Sequence, residues 1–251
     1  MSGILITGAS SGLGEALALA YAAPGVTLFL SGRDAQRLAG VAEACRGKGA
    51  RAESRLVDVT DRAAMEAWLA AADADTPLDL VIANAGISAG SGTRGGETAL
   101  QTRAIFAVNL EGVLNTVLPA IEPMRRRRHG QLVVMSSLAG FRGLPTAPAY
   151  AASKAAVRVW GEGLRGLLAA EGIGVTVICP GFVESRMTAA NRFPMPFLMT
   201  AEAAGRRMRR GIEANRARLA FPWPLAVAVW LLAALPPNWT DGWLCRLPAK
   251  E

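Results

Sequence analysis

Tyr150 and Lys154 stand four residues apart in the helix-forming run Tyr150-Ala151-Ala152-Ser153-Lys154, so both side chains fall on one helical face. An ammonium beside a phenol favours the phenolate. It lets a group that ordinarily titrates near ~10 exchange its proton closer to neutral pH. Such a pair suits general acid–base work, although an i,i+4 tyrosine and lysine are also an ordinary exposed pair on many helices. A second chemical element lies at the N-terminus. Ile4-Leu5-Ile6 reads as a buried strand, Thr7-Gly8-Ala9-Ser10-Ser11-Gly12-Leu13-Gly14 as a turn, and Glu15 to Tyr21 as a helix. A strand, a glycine-rich turn and a helix set a pyrophosphate on the helix N-terminus. Gly8 would make the tight turn, Gly12 would admit the phosphates to the backbone, and Gly14 would let helix and strand pack closely. The bland alternative is a glycine-rich surface loop. The spacing is G-x-x-x-G-x-G, not the commoner G-x-G-x-x-G.

Both elements need a scaffold, and the pattern along the chain supplies one. Candidate strands cover residues 4–6, 26–31, 51–56, 78–83, 130–136 and 175–178. Candidate helices cover 12–22, 35–46, 62–72, 97–109, 112–126, 150–170 and 201–214. The alternation argues for an α/β protein, a doubly wound parallel sheet (Rossmann fold) with helices on both faces. The strands read as near-continuous apolar runs, as expected for strands buried on both sides. With 251 residues and 51% hydrophobic content the chain can bury a sizeable core in a single domain.

Taken together, these residues resemble the short-chain dehydrogenase/reductase family in its common type of roughly 250 residues. The resemblance runs from Ile4 to about Met187 and rests on several motifs in order. After the glycine motif comes Asp58-Val59 at the end of the third strand, where the family's aspartate contacts adenine. Asn84-Ala85-Gly86 follows Leu80-Val81-Ile82, and Asn109 closes Phe106-Ala107-Val108-Asn109. Ser137 precedes Tyr150 by 13 residues, the family's spacing for its catalytic serine. Pro180-Gly181 follows Val175-Thr176-Val177-Ile178-Cys179. The family adds a seventh strand, for which Arg218-Leu219-Ala220-Phe221 is the candidate. The implied division is a catalytic domain over 1–220, with a substrate loop over about 182–215, and a C-terminal extension over 221–251.

The resemblance implies a catalytic set of Asn109, Ser137, Tyr150 and Lys154. Tyr150 would be the general acid in reduction and the base in oxidation. Lys154 would lower its pKa and bind the nicotinamide ribose. Ser137 would hold the substrate carbonyl oxygen, and Asn109 would support a water that passes protons to Lys154. Ser136 is the competing serine, but strand alternation points it away from Ser137. Cofactor contacts would come from Gly8, Ser10, Ser11, Gly12, Leu13, Gly14, Arg33, Asp58, Val59, Asn84, Ala85, Gly86, Tyr150, Lys154, Pro180, Gly181, Val183 and Ser185. Ser185 stands in for a threonine that the family places after P-G-x-V. Substrate contacts would come from Ser137, Tyr150, Phe182, Phe193 and Phe197. The second strand ends in Ser31-Gly32 with no carboxylate, and Arg33 offers a guanidinium suited to a 2′-phosphate, so NADP(H) is favoured over NAD(H). Alternatively Arg33 points to solvent; Asp34 caps the next helix in either case.

The last thirty residues depart from the family's pattern. They carry four of the six tryptophans and an apolar run over 225–235 bounded by prolines. Eleven helical residues span about 16 Å, short of a ~30 Å bilayer core. The segment can pack on the body or a partner subunit, cover a lipophilic pocket, or lie in a membrane interface. Two arginine clusters, 125–128 and 206–210, contribute to a net charge of +7. The first reads as a solvated helix end, while the second, near the apolar tail, could meet lipid headgroups or an acyl-CoA phosphate. No nucleic-acid-reading motif accompanies them. One histidine and three cysteines without ligand spacing argue against a metal site, and reduced cysteines with no signal peptide point to a cytoplasmic protein. The expectation is a hydride-transferring oxidoreductase acting on a small-molecule carbonyl or secondary alcohol, lipophilic (acyl or sphingoid) in character. Polyol or sugar chemistry and a non-catalytic NADP(H)-binding scaffold or sensor are the alternatives. Relatives are commonly homodimers or homotetramers.

Overall fold

Runs of four to eight residues, most of them aliphatic, pair into one parallel sheet, seen in a computed structural model that describes residues 2–88, 97–189, 191 and 193–246. The strands are β1 (Ser2–Ile6), β2 (Val26–Gly32), β3 (Arg51–Leu56), β4 (Leu78–Ala83), β5 (Gly130–Met135), β6 (Ile173–Pro180) and β7 (Arg218–Phe221). Their order is β3-β2-β1-β4-β5-β6-β7, and every neighbouring pair is parallel. The winding reverses between β1 and β4. At such a switch point a crevice opens at the carboxyl ends of the strands.

The helices are α1 (Gly12–Tyr21), α2 (Ala35–Gly47), α3 (Arg62–Asp75), α4 (Ala99–Phe106), α5 (Gly112–Arg127), α6 (Pro148–Leu168), α7 (Arg186–Ala189), α8 (Ala201–Glu213), α9 (Trp223–Ala234) and α10 (Pro237–Leu244). One apolar layer joins the sheet to α3, α5 and α6 through Met65, Val117, Met124, Val157 and Leu168. The other joins it to α1, α2 and α8 through Leu17, Leu38, Val41, Met208 and Ile212. Each such side chain taken out of water contributes about 1.5–3 kcal/mol, so two layers of this kind fix the strand ends that carry the site. Asp34 and Asp61 cap α2 and α3, accepting bonds from Arg37 N (2.9 Å) and Ala64 N (3.0 Å).

Three local features depart from the sequence expectation. β3 is an edge strand in which only Ala52 is buried, so it is not apolar on both faces; its Arg51 pairs with Asp75 (2.8 Å) and with Glu53. Charged side chains on an edge also discourage pairing with other chains. The helix expected over 97–109 ends at Phe106 and continues as one wide π turn, Ala107–Glu111, that leads into α5. A π turn inserts an extra residue per turn and re-aims side chains, and here it turns Asn109 fully inward. α6 starts two residues before Tyr150, with Pro148 in its first turn, where the missing N–H costs nothing. The long apolar helical run over 99–127 reaches membrane-spanning length, yet Val113, Val117, Ile121 and Met124 bury it in the core of the sheet.

Candidate active site

The glycine turn is locked to the end of β4 by two side chains. Thr7 Oγ1 accepts from the N–H groups of Asn84 (3.1 Å) and Ala85 (3.2 Å), and Asn84 Nδ2 donates to the carbonyls of Thr7 (2.9 Å) and Gly8 (3.2 Å). Gly8 and Gly12 adopt φ of 66° and 59°, the left-handed region that side chains disfavour. A side chain on Gly14 would run into the Gly8 carbonyl, so Gly14 allows α1 to sit against the turn and does not itself face the cavity. Ser11 precedes α1 in extended conformation and its hydroxyl does not cap the helix. The first N–H groups of α1 are therefore left for an anion, as at other helix N-termini that bind phosphate.

A cavity of about 1170 Å³ runs from this turn across the sheet switch point. Of the expected cofactor residues, all but Gly14 line it. Arg33 is exposed at its rim, close enough to help hold the Asp58 carboxyl below the usual range, after the larger effect of the Thr60 N–H (2.9 Å). Asp34 is engaged by Arg37, both through the helix cap and through a 2.8 Å ion pair. No free carboxylate is thus left at the end of β2. Arg37 and Ser31 also line the cavity, and Ser31 Oγ is fully buried without a hydrogen-bond partner. Neither was singled out from sequence, although Asp34 and Arg37 stand at a legible i,i+3 spacing.

At the other end stand Ser137, Tyr150 and Lys154. Ser137 follows β5; its hydroxyl accepts from Ala139 N (3.1 Å) and donates to the Pro180 carbonyl (3.4 Å). Ser136 is turned to the Lys154 carbonyl (2.7 Å), a structural bond that removes it as a competitor. Lys154 is almost completely buried. Its Nζ donates to the Met135 carbonyl (2.9 Å) and lies 5.9 Å from the centre of the Tyr150 ring. Burial pushes this ammonium down to about 8, because a charge is costly away from water. Burial likewise raises the Tyr150 phenol, and the Ser137 hydroxyl opposes it with a smaller effect. The lowering by Lys154 that the sequence suggested is not among the effects that set the Tyr150 phenol here; burial dominates, with Ser137 opposing it.

Asn109 lies beneath the cavity and not on its wall. Its Oδ1 accepts from Ile87 N (2.8 Å), and its Nδ2 donates to the Ile87 carbonyl (2.9 Å) and to Ser153 Oγ (3.1 Å). Ser153 Oγ in turn donates to the Tyr150 carbonyl (2.8 Å). Ser153 is a link that sequence reasoning missed; its place three residues after Tyr150 was the available signal. Gly86 sits over this group, where a side chain would come within 3.2 Å of both Asn109 Oδ1 and Lys154 Nζ.

The substrate end is apolar. Phe182 and Phe193 meet edge to face with ring centres 6.1 Å apart, and both line the cavity. Phe197, expected as a substrate contact, is 57% exposed at a turn with φ of 58° and lies off the wall. Its place is taken by Leu225, Val229 and Leu232 of α9, from the apolar run that the sequence offered as a pocket cover among other readings, and by Trp243 and Leu244 of α10, which it did not single out. Arg142 holds α10 down through Thr240 Oγ1 (3.1 Å) and Asp241 (2.9 Å). Ser185 lines the cavity too, but with Thr188 it forms a turn anchored on the Val183 carbonyl by Thr188 Oγ1 (2.7 Å). No cluster of three or more metal-ligating side chains occurs among the described residues.

The uncapped α1 turn and the positive-φ cradle fit a dinucleotide. Comparison with known proteins points the same way. An uncharacterized oxidoreductase of Myxococcus xanthus is 42% identical over 250 residues, covering 97% of this chain and 96% of its own. A 3-ketoacyl-ACP reductase structure from Sinorhizobium meliloti superposes with TM-score 0.77 at 28% identity, covering 90% of this chain and 99% of its own. A short-chain dehydrogenase from Sphingobium yanoikuyae, solved with NADPH, shares the fold with TM-score 0.81 at 24% identity over 99% of this chain and 97% of its own. The sequence profile of the family described as short chain dehydrogenase matches residues 2–194, a stretch that takes in the glycine turn and the Tyr150–Lys154 pair, and the chain belongs to that family.

Proposed function

We propose that this oxidoreductase interconverts a lipophilic ketone and its secondary alcohol and prefers NADP(H) to NAD(H). The observation that carries the substrate reading is the apolar roof of Leu225, Val229 and Leu232 over the cavity that holds Ser137 and Tyr150. An acyl chain lying under it would exchange water for hydrocarbon, worth roughly 0.8 kcal/mol per buried CH₂. The kinship with a 3-ketoacyl-ACP reductase supports the same direction. Cofactor preference rests on Arg33 at the rim and on an Asp34 already engaged by Arg37.

The bound nicotinamide cofactor supplies or accepts the hydride. The protein does the rest. Ser137 Oγ donates a hydrogen bond to the substrate oxygen and stabilises its developing negative charge. Tyr150 Oη gives that oxygen a proton in reduction and takes it back in oxidation. The buried Lys154 ammonium sits beside the phenol and favours its ionised form during transfer. Asn109 and Ser153 act as positioning residues, because they hold the Ile87 turn and the α6 backbone at Tyr150 in register. The apolar roof keeps water from the reacting carbon.

A ketone series of increasing chain length, assayed with NADPH and NADH in parallel, tests the reading. Expected is a kcat/KM that climbs by about threefold or fourfold per methylene until the cavity fills, with NADPH preferred. Turnover restricted to short polar carbonyls would defeat the lipophilic assignment, and equal use of NADH would defeat the cofactor assignment.

A further inference from the structure

No charged residue occurs between Arg218 and Asp241. Within that stretch α9 is apolar on every side. Its inward residues, Leu225, Ala226 and Val229, pack against the core beneath the helix. Its outward residues, Trp223, Val227, Trp230 and Leu231, follow i, i+4, i+7, i+8 and so form one continuous face. They are 70%, 47%, 58% and 53% exposed, and Trp239 of α10 is 72% exposed. A helix on a water-facing surface normally turns charge outward. Scattered exposed apolar residues need no account, but a contiguous face of large ones marks a partner.

We infer that α9 and α10 dock the protein on the surface of an anionic lipid bilayer, with the cavity roof at the interface. The inference rests on the lipophilic-substrate reading above and adds the source from which substrate enters. Tryptophan favours the headgroup region, where its apolar ring and its N–H are both satisfied. A helix of 12 residues spans about 18 Å, too short to cross a ~30 Å core and suited to lie in the interfacial plane. Prolines bound it on both sides, at Pro222 and at Pro236-Pro237. Charge matches an anionic surface. The Arg207 guanidinium lies 5.4 Å from the Phe221 ring, beside the start of α9, and Arg246 follows α10. Asp241, the first carboxylate after the apolar stretch, is paired with Arg142. The whole chain carries +7, and basic groups near an anionic leaflet add attraction. One helix thus has a face toward the cavity and a face toward solvent, both apolar, and it separates hydrocarbon from Tyr150 by a single layer.

Vesicle flotation tests this without any turnover. Wild type, Trp230→Glu, Trp239→Glu and the milder Trp230→Ser are mixed with phosphatidylcholine vesicles that contain about one third phosphatidylglycerol, or none. NADPH binding and circular dichroism verify that each variant is folded. Expected is capture by the anionic vesicles, weaker capture by neutral ones, a blue shift of tryptophan emission, and weakening by salt. Trp230→Glu should lose roughly tenfold in vesicle affinity, Trp230→Ser less, with NADPH binding unchanged. Absence of capture, or full capture of Trp230→Glu, would overturn the inference. So would a soluble dimer that Trp230→Glu splits while vesicles bind nothing, since the face would then join two copies of the chain. The chain-length series can fail while docking holds, and docking can fail while the series holds, so the two readings stand apart.

Discussion

Replacing Asn109 with alanine would strip the floor of the site of its connections. The side chain is completely buried and makes three bonds, to Ile87 N at 2.8 Å, the Ile87 carbonyl at 2.9 Å and Ser153 Oγ at 3.1 Å. Alanine leaves all three partners short. A buried polar group without its partner costs about 1–3 kcal/mol. Ile87 is only partly buried, so water can recover some of that, and a total of about 2–4 kcal/mol is expected. For a chain of this size each kcal/mol moves the melting temperature by about 2–4 °C, so the drop should be about 5–15 °C. Thermal melts followed by circular dichroism read this directly. Kinetics well below the melt separate position from stability: kcat should fall at least about tenfold while substrate KM changes little, because the loosened Ser153 no longer fixes the α6 backbone at Tyr150. A melt within about 1 °C of wild type, together with unchanged kcat, would refute the idea that Asn109 holds the site from below.

Further outcomes can be checked on the same material. Arg33→Ala should raise KM for NADPH by about 10- to 100-fold and leave KM for NADH nearly unchanged, since a charge-assisted bond to a 2′-phosphate is worth about 1.5–3 kcal/mol; equal effects on both cofactors would deny Arg33 that contact. Lys154 titrates near 8 in the fold against a usual 10.5, so the unfolded chain holds more protons between those values. The cost of the buried ammonium is fully present below about pH 8 and is relieved as pH rises toward the unfolded value. Wild type should therefore gain stability relative to Lys154→Met between about pH 8 and 10, by up to roughly 3 kcal/mol, as urea unfolding at several pH values would read; a relative loss over that range would mean Lys154 is stabilised by an anion. Val229→Asn, on the inward face of α9, should lower kcat/KM for long-chain ketones by about tenfold and spare short ones; a uniform loss would place the chain elsewhere.

Most of the sheet was legible because its strands are apolar and its turns carry glycine, aspartate or proline, and the four-residue β7 at Arg218–Phe221 stands where the family resemblance put it. β3 was placed correctly over 51–56, but its burial on both faces was misread, since Arg-Ala-Glu-Ser-Arg-Leu carries the polar pattern of an exposed edge strand. The π turn at Asn109 was not anticipated, since one extra residue in a helix re-aims side chains without changing composition. Within the site, the Tyr150–Lys154 pair could be found from spacing and Ser137 through the family resemblance. The Asn109–Ser153 link was missed, because it joins residues 44 apart and its only local signal was the place of Ser153 three residues after Tyr150. The substrate wall was half legible: Phe182 and Phe193 lie after the Pro180-Gly181 turn as expected, whereas Phe197 turns outward and the roof comes from a helix some forty residues further on. Which face of an all-apolar helix looks inward is a tertiary fact, and α9 has no polar side from which to read it.

The central claim is that Tyr150 moves the proton while the glycine turn and Arg33 hold the nucleotide. Tyr150→Phe tests it most directly, with NADPH binding followed by fluorescence and ketone-dependent NADPH oxidation followed in the same preparation. The account predicts a rate lowered by about 10²- to 10⁴-fold, with NADPH affinity within about threefold of wild type because the phosphate and adenine contacts are untouched. A variant that still reduces the ketone at a rate near wild type would contradict it.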